Sequence, residues 1–174
     1  MANLEQKAKK IRLLLLDVDG VLTDGSIIYD GKGEEFKSFN VRDGAAIKWL
    51  QGAGLEVAVL SGRNSPPVLV RTKELGIEKV IQGQILKLPA FEKFLAETKC
   101  RPEEIAFIGD DLHDLPVLRR VGLSACPADA VEEAKNVSDY ICKAEGGRGA
   151  VREVAELILK AQKKWNELMR KYRI

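Results

Sequence analysis

Nowhere in the chain do about 18 apolar residues run together, which excludes a membrane-spanning helix. An excess of one charge is missing too. The 28 basic residues against 26 acidic ones leave a formal net charge of +2, so nothing draws the chain to nucleic acid. The three cysteines, Cys100, Cys126 and Cys142, are odd in number and far apart. They make neither a disulfide framework nor a zinc site, and reduced thiols of a cytoplasmic protein are the simplest account. The first residues, MANLEQKAKK, carry a basic run but no small-residue cleavage site, so no secretory signal is expected. No repeat, low-complexity segment or second core appears. At 174 residues, 45% hydrophobic and 31% charged, the chain is expected to form one soluble globular domain, 1–174.

What is present is LLLLDVDGVLTDG, from Leu13 to Gly25. A short unbroken apolar run suits a strand buried on both faces, as in a parallel sheet. Asp17 then stands at the strand's C-terminal end, where open α/β sheets bind their ligands. Asp19, two residues on, returns to the same side if the chain stays extended. Two carboxylates at the mouth of an apolar strand repel each other, and the arrangement implies a cation between them. A lone Asp-Gly would read as a turn; the whole stretch after four leucines does not.

The rest of the chain alternates. Residues 1–12 read as a polar lead-in, and SIIYDGKGEEFKSF as a hairpin with strands near 26–30 and 34–39. A short helix is expected over 44–52. Strands at 57–62, 79–83, 105–111, 123–126 and 139–142 are separated by helices at 66–75, 88–98, 114–121 and 128–136. Strands alternating with helices mean βαβ units and a doubly wound, Rossmann-like α/β fold on a parallel sheet. One long helix is predicted from 149 to 172. Its distal Trp165, Met169 and Tyr172 suit docking on a partner subunit or on its own sheet.

The strand ends carry the chemistry. The first ends in Asp17, the second in Ser61-Gly62-Arg63 and the fourth in Gly109-Asp110-Asp111, while Lys87 opens the helix after the third. In a parallel sheet these ends share one edge. A nucleophilic carboxylate, a hydroxyl, a lysine and further carboxylates are the parts of Mg²⁺-dependent phosphoryl transfer.

These four motifs resemble the haloacid dehalogenase superfamily of phosphatases over nearly the whole chain. The resemblance implies that Asp17 is the nucleophile that forms an aspartyl-phosphate. It makes Asp19 the acid that protonates the leaving oxygen and the base that later activates water. Ser61 and backbone N–H groups near Asp19 and Gly20 would hold the phosphoryl oxygens, and Lys87 would neutralise charge. Asp110 would complete a Mg²⁺ site with the Asp17 side chain and the Asp19 carbonyl, supported through water by Asp111 or Asp114. Capping of the helix at 114 is an equal reading of Asp114. His113, the only histidine, reads as a solvent-facing loop residue.

Larger members of the superfamily insert a cap domain, and here only the hairpin is available. The chain thus looks like the capless subgroup, in which a neighbouring subunit of a tetramer completes the pocket. The hairpin followed by F-N-V-R-D-G, with S-G-R-N-S, G-D-D-L-x-D-L-P and G-G-R-G-A-V-R-E, is similar to the family of 3-deoxy-D-manno-octulosonate 8-phosphate (KDO 8-phosphate) phosphatases. That family releases phosphate and the acid sugar used in lipopolysaccharide assembly. A substrate with phosphate and carboxylate ends implies a second anion site from Arg42, Arg63, Arg71 and Arg148, since guanidinium groups grip carboxylates bidentately. Gly62 would line the substrate site, and Asn40, Asp43 and Gly44 would read sugar hydroxyls. In that family the GGRG segment (146–149) is a mobile tail; here it runs straight into a helix. Ala45-Ala46 also departs from a glycine expected nearby. Two alternatives stay open. One is a phosphatase of broad specificity for other sugar phosphates. The other is a non-catalytic assembly or regulatory module of the kind attached to acid-sugar nucleotidyltransferases, against which the intact Asp19 argues.

Overall fold

The four leucines form the central strand. In the computed structural model, which describes residues 2–172, β1 (Leu13–Leu16) is buried along its whole length. Side-chain alternation sends Leu14 and Leu16 into one hydrophobic cluster and Leu13 and Leu15 into another on the opposite face. Burying each leucine contributes about 1.5–3 kcal/mol, so this strand ties both halves of the core together. It pairs in parallel with β4 (Glu56–Leu60) on one side and β6 (Ile105–Ile108) on the other. Outside these lie β5 (Lys79–Ile81), β7 (Leu123–Cys126) and β8 (Tyr140–Ile141). Among the described residues this gives one six-stranded parallel sheet of order β5-β4-β1-β6-β7-β8.

Helices α1 (Ala2–Lys10), α2 (Val41–Gly52), α3 (Pro66–Leu75) and α7 (Ala150–Ala161) cover one face of the sheet. Helices α4 (Lys87–Thr98), α5 (Leu115–Leu118) and α6 (Glu132–Val137) cover the other. The sequence order of strands 1, 4 and 6 across the centre puts the ends of β1, β4 and β6 side by side at one edge. The hairpin is there but short, with β2 (Ile28–Tyr29) antiparallel to β3 (Glu35–Phe36). The layout is the doubly wound α/β fold expected, without a cap domain among the described residues.

Four helices depart from expectation. Helix α2 begins at Val41, not Gly44, because Asn40 caps it: its side chain accepts from the Arg42 N–H at 2.8 Å. The helix expected over 114–121 divides into a 3₁₀ turn at Leu112–Asp114 and the four-residue α5, while α6 starts at Glu132 after a turn at Pro127–Ala130. The long helix expected over 149–172 is two helices, α7 and α8 (Trp165–Arg170). Lys163 takes a left-handed φ of 60°. Its N–H donates to the Lys160 carbonyl at 3.0 Å and that of Lys164 to Leu159 at 2.9 Å. These are the two bonds of a Schellman cap, with lysine where glycine usually stands. The distal piece folds back on its own chain. Trp165 meets Trp49 edge to face at 5.9 Å, and Leu168 packs on the core.

Candidate active site

Each functional side chain is set by the end of a strand. Asp17 follows β1, and its N–H donates to the Ile108 carbonyl at 3.0 Å, so the backbone is still part of the sheet there. The chain then turns sharply, the N–H groups of Val21, Leu22 and Thr23 all pointing at the Val18 carbonyl. Gly20 makes this possible with φ +83°, and a Cβ on it would meet Asp110 Oδ2 at 2.1 Å. Ser61 follows β4 and is buried, its N–H on Ile81 O at 2.9 Å. Asp110 follows β6.

Lys87, at the first turn of α4, is almost fully buried and reaches two carboxylates: Asp17 Oδ1 at 2.8 Å and Asp114 Oδ1 at 2.5 Å. Buried lysines need such partners. Burial works against its charge, but Asp17 and Asp114 outweigh it and hold the pKa above the ordinary lysine value. Asp114 is wholly buried; its other oxygen accepts from the N–H groups of Asp110 at 2.9 Å and Asp111 at 3.3 Å. It thus organises the loop after β6 and does not cap α5.

Oxygens of Asp17, Asp110 and Asp114 lie within 4.8 Å of one another. Three carboxylates facing one ammonium leave two negative charges, the charge of one divalent cation. Burial pushes Asp17 up to about 7, with Asp114 adding to it against the pull of Lys87. Burial, then the Asp17 and Asp114 charges, pushes Asp110 up to about 8. Asp110 Oδ1 is buried with no hydrogen-bond partner among the described residues. A buried carboxylate oxygen is costly to leave unpaired, so an oxygen-binding cation such as Mg²⁺ fits here. Asp114, both oxygens already engaged, supports the site without being needed as a ligand. The exposed Asp111 side chain accepts from the Leu112 N–H.

A cleft of about 450 Å³ opens over this cluster. Of the residues picked from the sequence, the structure brings Asp17, Asp19, Ser61, Gly62, Arg63, Lys87, Asp110, Asp111 and Asp114 to its walls. His113 is exposed at the rim.

Six others do not reach the cleft in this chain. Asn40 Nδ2 donates to the Gly147 carbonyl at 3.1 Å. Buried Asp43 accepts from the N–H groups of Gly149 at 3.1 Å and Arg152 at 2.8 Å, so it caps α7 from a distant helix. Gly44 lies against Arg71, where a Cβ would come within 2.3 Å of the guanidinium. Arg71 itself stacks over Phe39 at 5.9 Å and pairs with Glu74 at 2.8 Å. Arg42 is exposed on α2, and exposed Arg148 pairs with Glu145 at 3.4 Å. The GGRG segment is not a loose tail, for Gly146 and Gly147 press on the backbone of residues 20–24.

Two residues escaped the sequence reading. Lys37 on the hairpin pairs with Asp19 Oδ1, and Glu35 accepts from Arg63 Nη2 at 2.8 Å and Ser65 Oγ at 2.5 Å. Charges in a hairpin pass for solvated ones. The available signal was their spacing, since residues two apart on a strand share a face.

Sheet, strand ends and carboxylate–lysine cluster together define a haloacid dehalogenase-like hydrolase. The sequence profile of that family matches residues 70–154. The 3-deoxy-D-manno-octulosonate 8-phosphate phosphatase KdsC of Yersinia pestis is 48% identical over 91% of this chain and 85% of its own length. That of Escherichia coli K12 is 48% identical over 95% and 88%. Among solved structures, the Moraxella catarrhalis phosphatase in complex with magnesium, phosphate and KDO has a TM-score of 0.97 at 43% identity, covering 99% of both chains. The chain belongs to the 3-deoxy-D-manno-octulosonate 8-phosphate phosphatase family.

Proposed function

We propose that the chain is a Mg²⁺-dependent phosphomonoesterase that converts KDO 8-phosphate to the free acid sugar and phosphate, in lipopolysaccharide precursor synthesis. The observation that carries this reading is the buried Asp17–Lys87–Asp114 cluster beside Asp110, at the one edge where β1, β4 and β6 end. Relatives at nearly half identity bear the same name.

Asp17 attacks the phosphorus, and the bond to the sugar oxygen breaks as Asp19 gives that oxygen a proton. Lys87 holds Asp17 in line and balances charge on the phosphoryl group. Ser61 and the N–H groups near Gly20 receive the phosphoryl oxygens. In the second half Asp19 takes a proton from water, which attacks the aspartyl-phosphate and frees Asp17. Mg²⁺, held by the Asp17 and Asp110 side chains and the Asp19 carbonyl, supplies charge neutralisation on the phosphoryl oxygens. Arg63, with Gly62 beside it, and Arg148 are our choices for the sugar carboxylate, and Arg148 would reach a site only through an assembly of subunits. Arg42, Arg71, Asn40, Asp43 and Gly44 would bear on the substrate only through an assembly of subunits.

We further propose that the chain acts as one domain within a homo-oligomer, most simply a tetramer. Ile27, Ile28, Tyr29 and Phe36 stand exposed on a hairpin too small to be stable alone. Val41, Leu69 and Val70 are exposed as well. Three unpaired cysteines suit the cytoplasm, and no helix among the described residues is long and apolar enough to cross a membrane. The direct test is phosphate release from KDO 8-phosphate and a panel of other sugar phosphates, with and without Mg²⁺. Metal-dependent turnover that favours the acid sugar is expected; equal rates across the panel would leave a phosphatase of another specificity.

A further inference from the structure

Lys37 has an ammonium on a side chain with no exposure to solvent, although it comes from a two-stranded hairpin. Burying a lone ammonium costs several kcal/mol, so what surrounds it decides why it is there. Two carboxylates do: Asp19, whose Oδ1 it contacts, and Glu35 Oε1 at 3.5 Å. Glu35 cannot swing away, because Arg63 Nη2 and Ser65 Oγ grip it from the side of the sheet at 2.8 and 2.5 Å. The ammonium is therefore fixed from behind and fixes Asp19 in front.

This contact divides the two oxygens of Asp19. Oδ1 is occupied by Lys37. Among the described residues Oδ2 has only Arg63 Nε at 3.7 Å, beyond hydrogen-bond range, and belongs to a side chain that lines the cleft. One oxygen is thus reserved for the lysine and one is left for proton exchange with a bound substrate.

The geometry points to Lys37 as the positioning residue for Asp19, orienting one carboxylate oxygen toward the leaving group through a hairpin anchored by Glu35. The inference rests on the phosphatase reading above, in which Asp19 is the acid. It ties the placement of the hairpin to the chemistry at the strand ends.

A leaving-group comparison tests the idea. An alkoxide needs a proton to depart, while p-nitrophenolate leaves without one, so in the step that forms the phosphoenzyme a misplaced acid hurts only the first. Lys37→Met is assayed on three substrates: KDO 8-phosphate, glycerol 3-phosphate, which has no carboxylate, and p-nitrophenyl phosphate. The expected result is a loss in kcat/KM, which reports the steps through departure of the leaving group, on both alkyl phosphates at least about ten times larger than on the aryl phosphate, with part of the loss recovered by Lys37→Arg. Equal losses on all three would make Lys37 a support of the fold. A loss confined to the acid sugar would make it a carboxylate ligand, and no loss would make it idle; each overturns the inference. Lys37→Gln read in the same three assays covers the case in which the methionine variant does not fold. The wild-type preference among the substrates tests the phosphatase reading separately, because it does not involve the variants.

Discussion

Gly146 lies so close to Gly20 that a Cβ on Gly146 would fall 1.9 Å from the Gly20 carbonyl oxygen. No side chain fits that gap, and the other side of the contact is backbone, which cannot step aside. The C-terminal segment thus clamps the turn that carries Asp19. Gly146→Ala is expected to cost about 1–3 kcal/mol and to lower kcat about ten- to hundred-fold by shifting the turn. Gly52→Ala, at the end of α2 with open space around it, should instead gain about 0.5 kcal/mol. Thermal melts resolve both, since 1 kcal/mol moves Tm by about 2–4 °C in a chain of this size.

Asp17→Asn is expected to fold normally and to lose at least about a thousand-fold in kcat. The amide keeps the shape and one oxygen toward the metal but cannot attack phosphorus. Asp19→Asn should be nearly as slow on the sugar phosphate, yet accumulate phosphorylated protein from p-nitrophenyl phosphate, because the first step then needs no acid. Wild-type rates in Asp17→Asn, or the absence of a trapped phosphoenzyme in Asp19→Asn, would defeat these assignments.

Glu153 links stability to pH. Burial opposes its charge, but the Tyr140 hydroxyl at 2.6 Å and the N–H groups of Lys143 and Ala144 hold it below the usual glutamate range. A carboxylate with a depressed folded pKa contributes stability above its unfolded value, and that stability is lost as pH falls through the folded one. Glu153→Gln should therefore cost about 1–2 kcal/mol near neutrality, with the gap to wild type closing below about pH 4. Denaturant melts at pH 7 and pH 3.5 decide it; an equal gap at both values removes the charge from the account.

Arg148 is exposed and lightly held, which suits a residue that reaches for a substrate. If it grips the sugar carboxylate, Arg148→Ala should lower kcat/KM on KDO 8-phosphate by about thirty- to hundred-fold and change p-nitrophenyl phosphate turnover little. Equal losses on both would assign it to phosphate or fold.

The exposed hairpin residues bear on assembly. Ile28→Asp with Phe36→Asp is expected to shift the sedimentation coefficient toward that of a single chain and to cut activity. A fully active wild-type monomer at working concentration would end the oligomer proposal.

The sequence was most legible where one physical pressure acts alone. Leu13–Leu16 admits little but a strand buried on both faces, and the residues that follow such strands at one sheet edge must meet. Asp17, Ser61, Lys87 and Asp110 were readable for that reason. Asp43 was not, because its partners are N–H groups of Gly149 and Arg152, more than 100 residues away. Nothing local distinguishes it from a sugar-binding carboxylate. The break at Lys163 was hidden in another way: a non-glycine residue adopts the left-handed turn, so the usual punctuation is absent. Arg71 matched a motif, yet the ring of Phe39 and the carboxylate of Glu74 hold it elsewhere.

The Asp17 amide, bonded to Ile108 in the middle of the sheet, belongs to the part of the molecule that opens last. Backbone amides there exchange with solvent deuterium only when the whole sheet separates, whereas strands of two residues, such as those of the hairpin, open early. The nucleophile and the lysine that orients its acid thus sit at opposite ends of one scale of local stability. On warming or in mild denaturant the protein should lose its command of the leaving group's proton while it still accepts phosphate, becoming a poor enzyme for alkyl phosphates before it becomes an unfolded one.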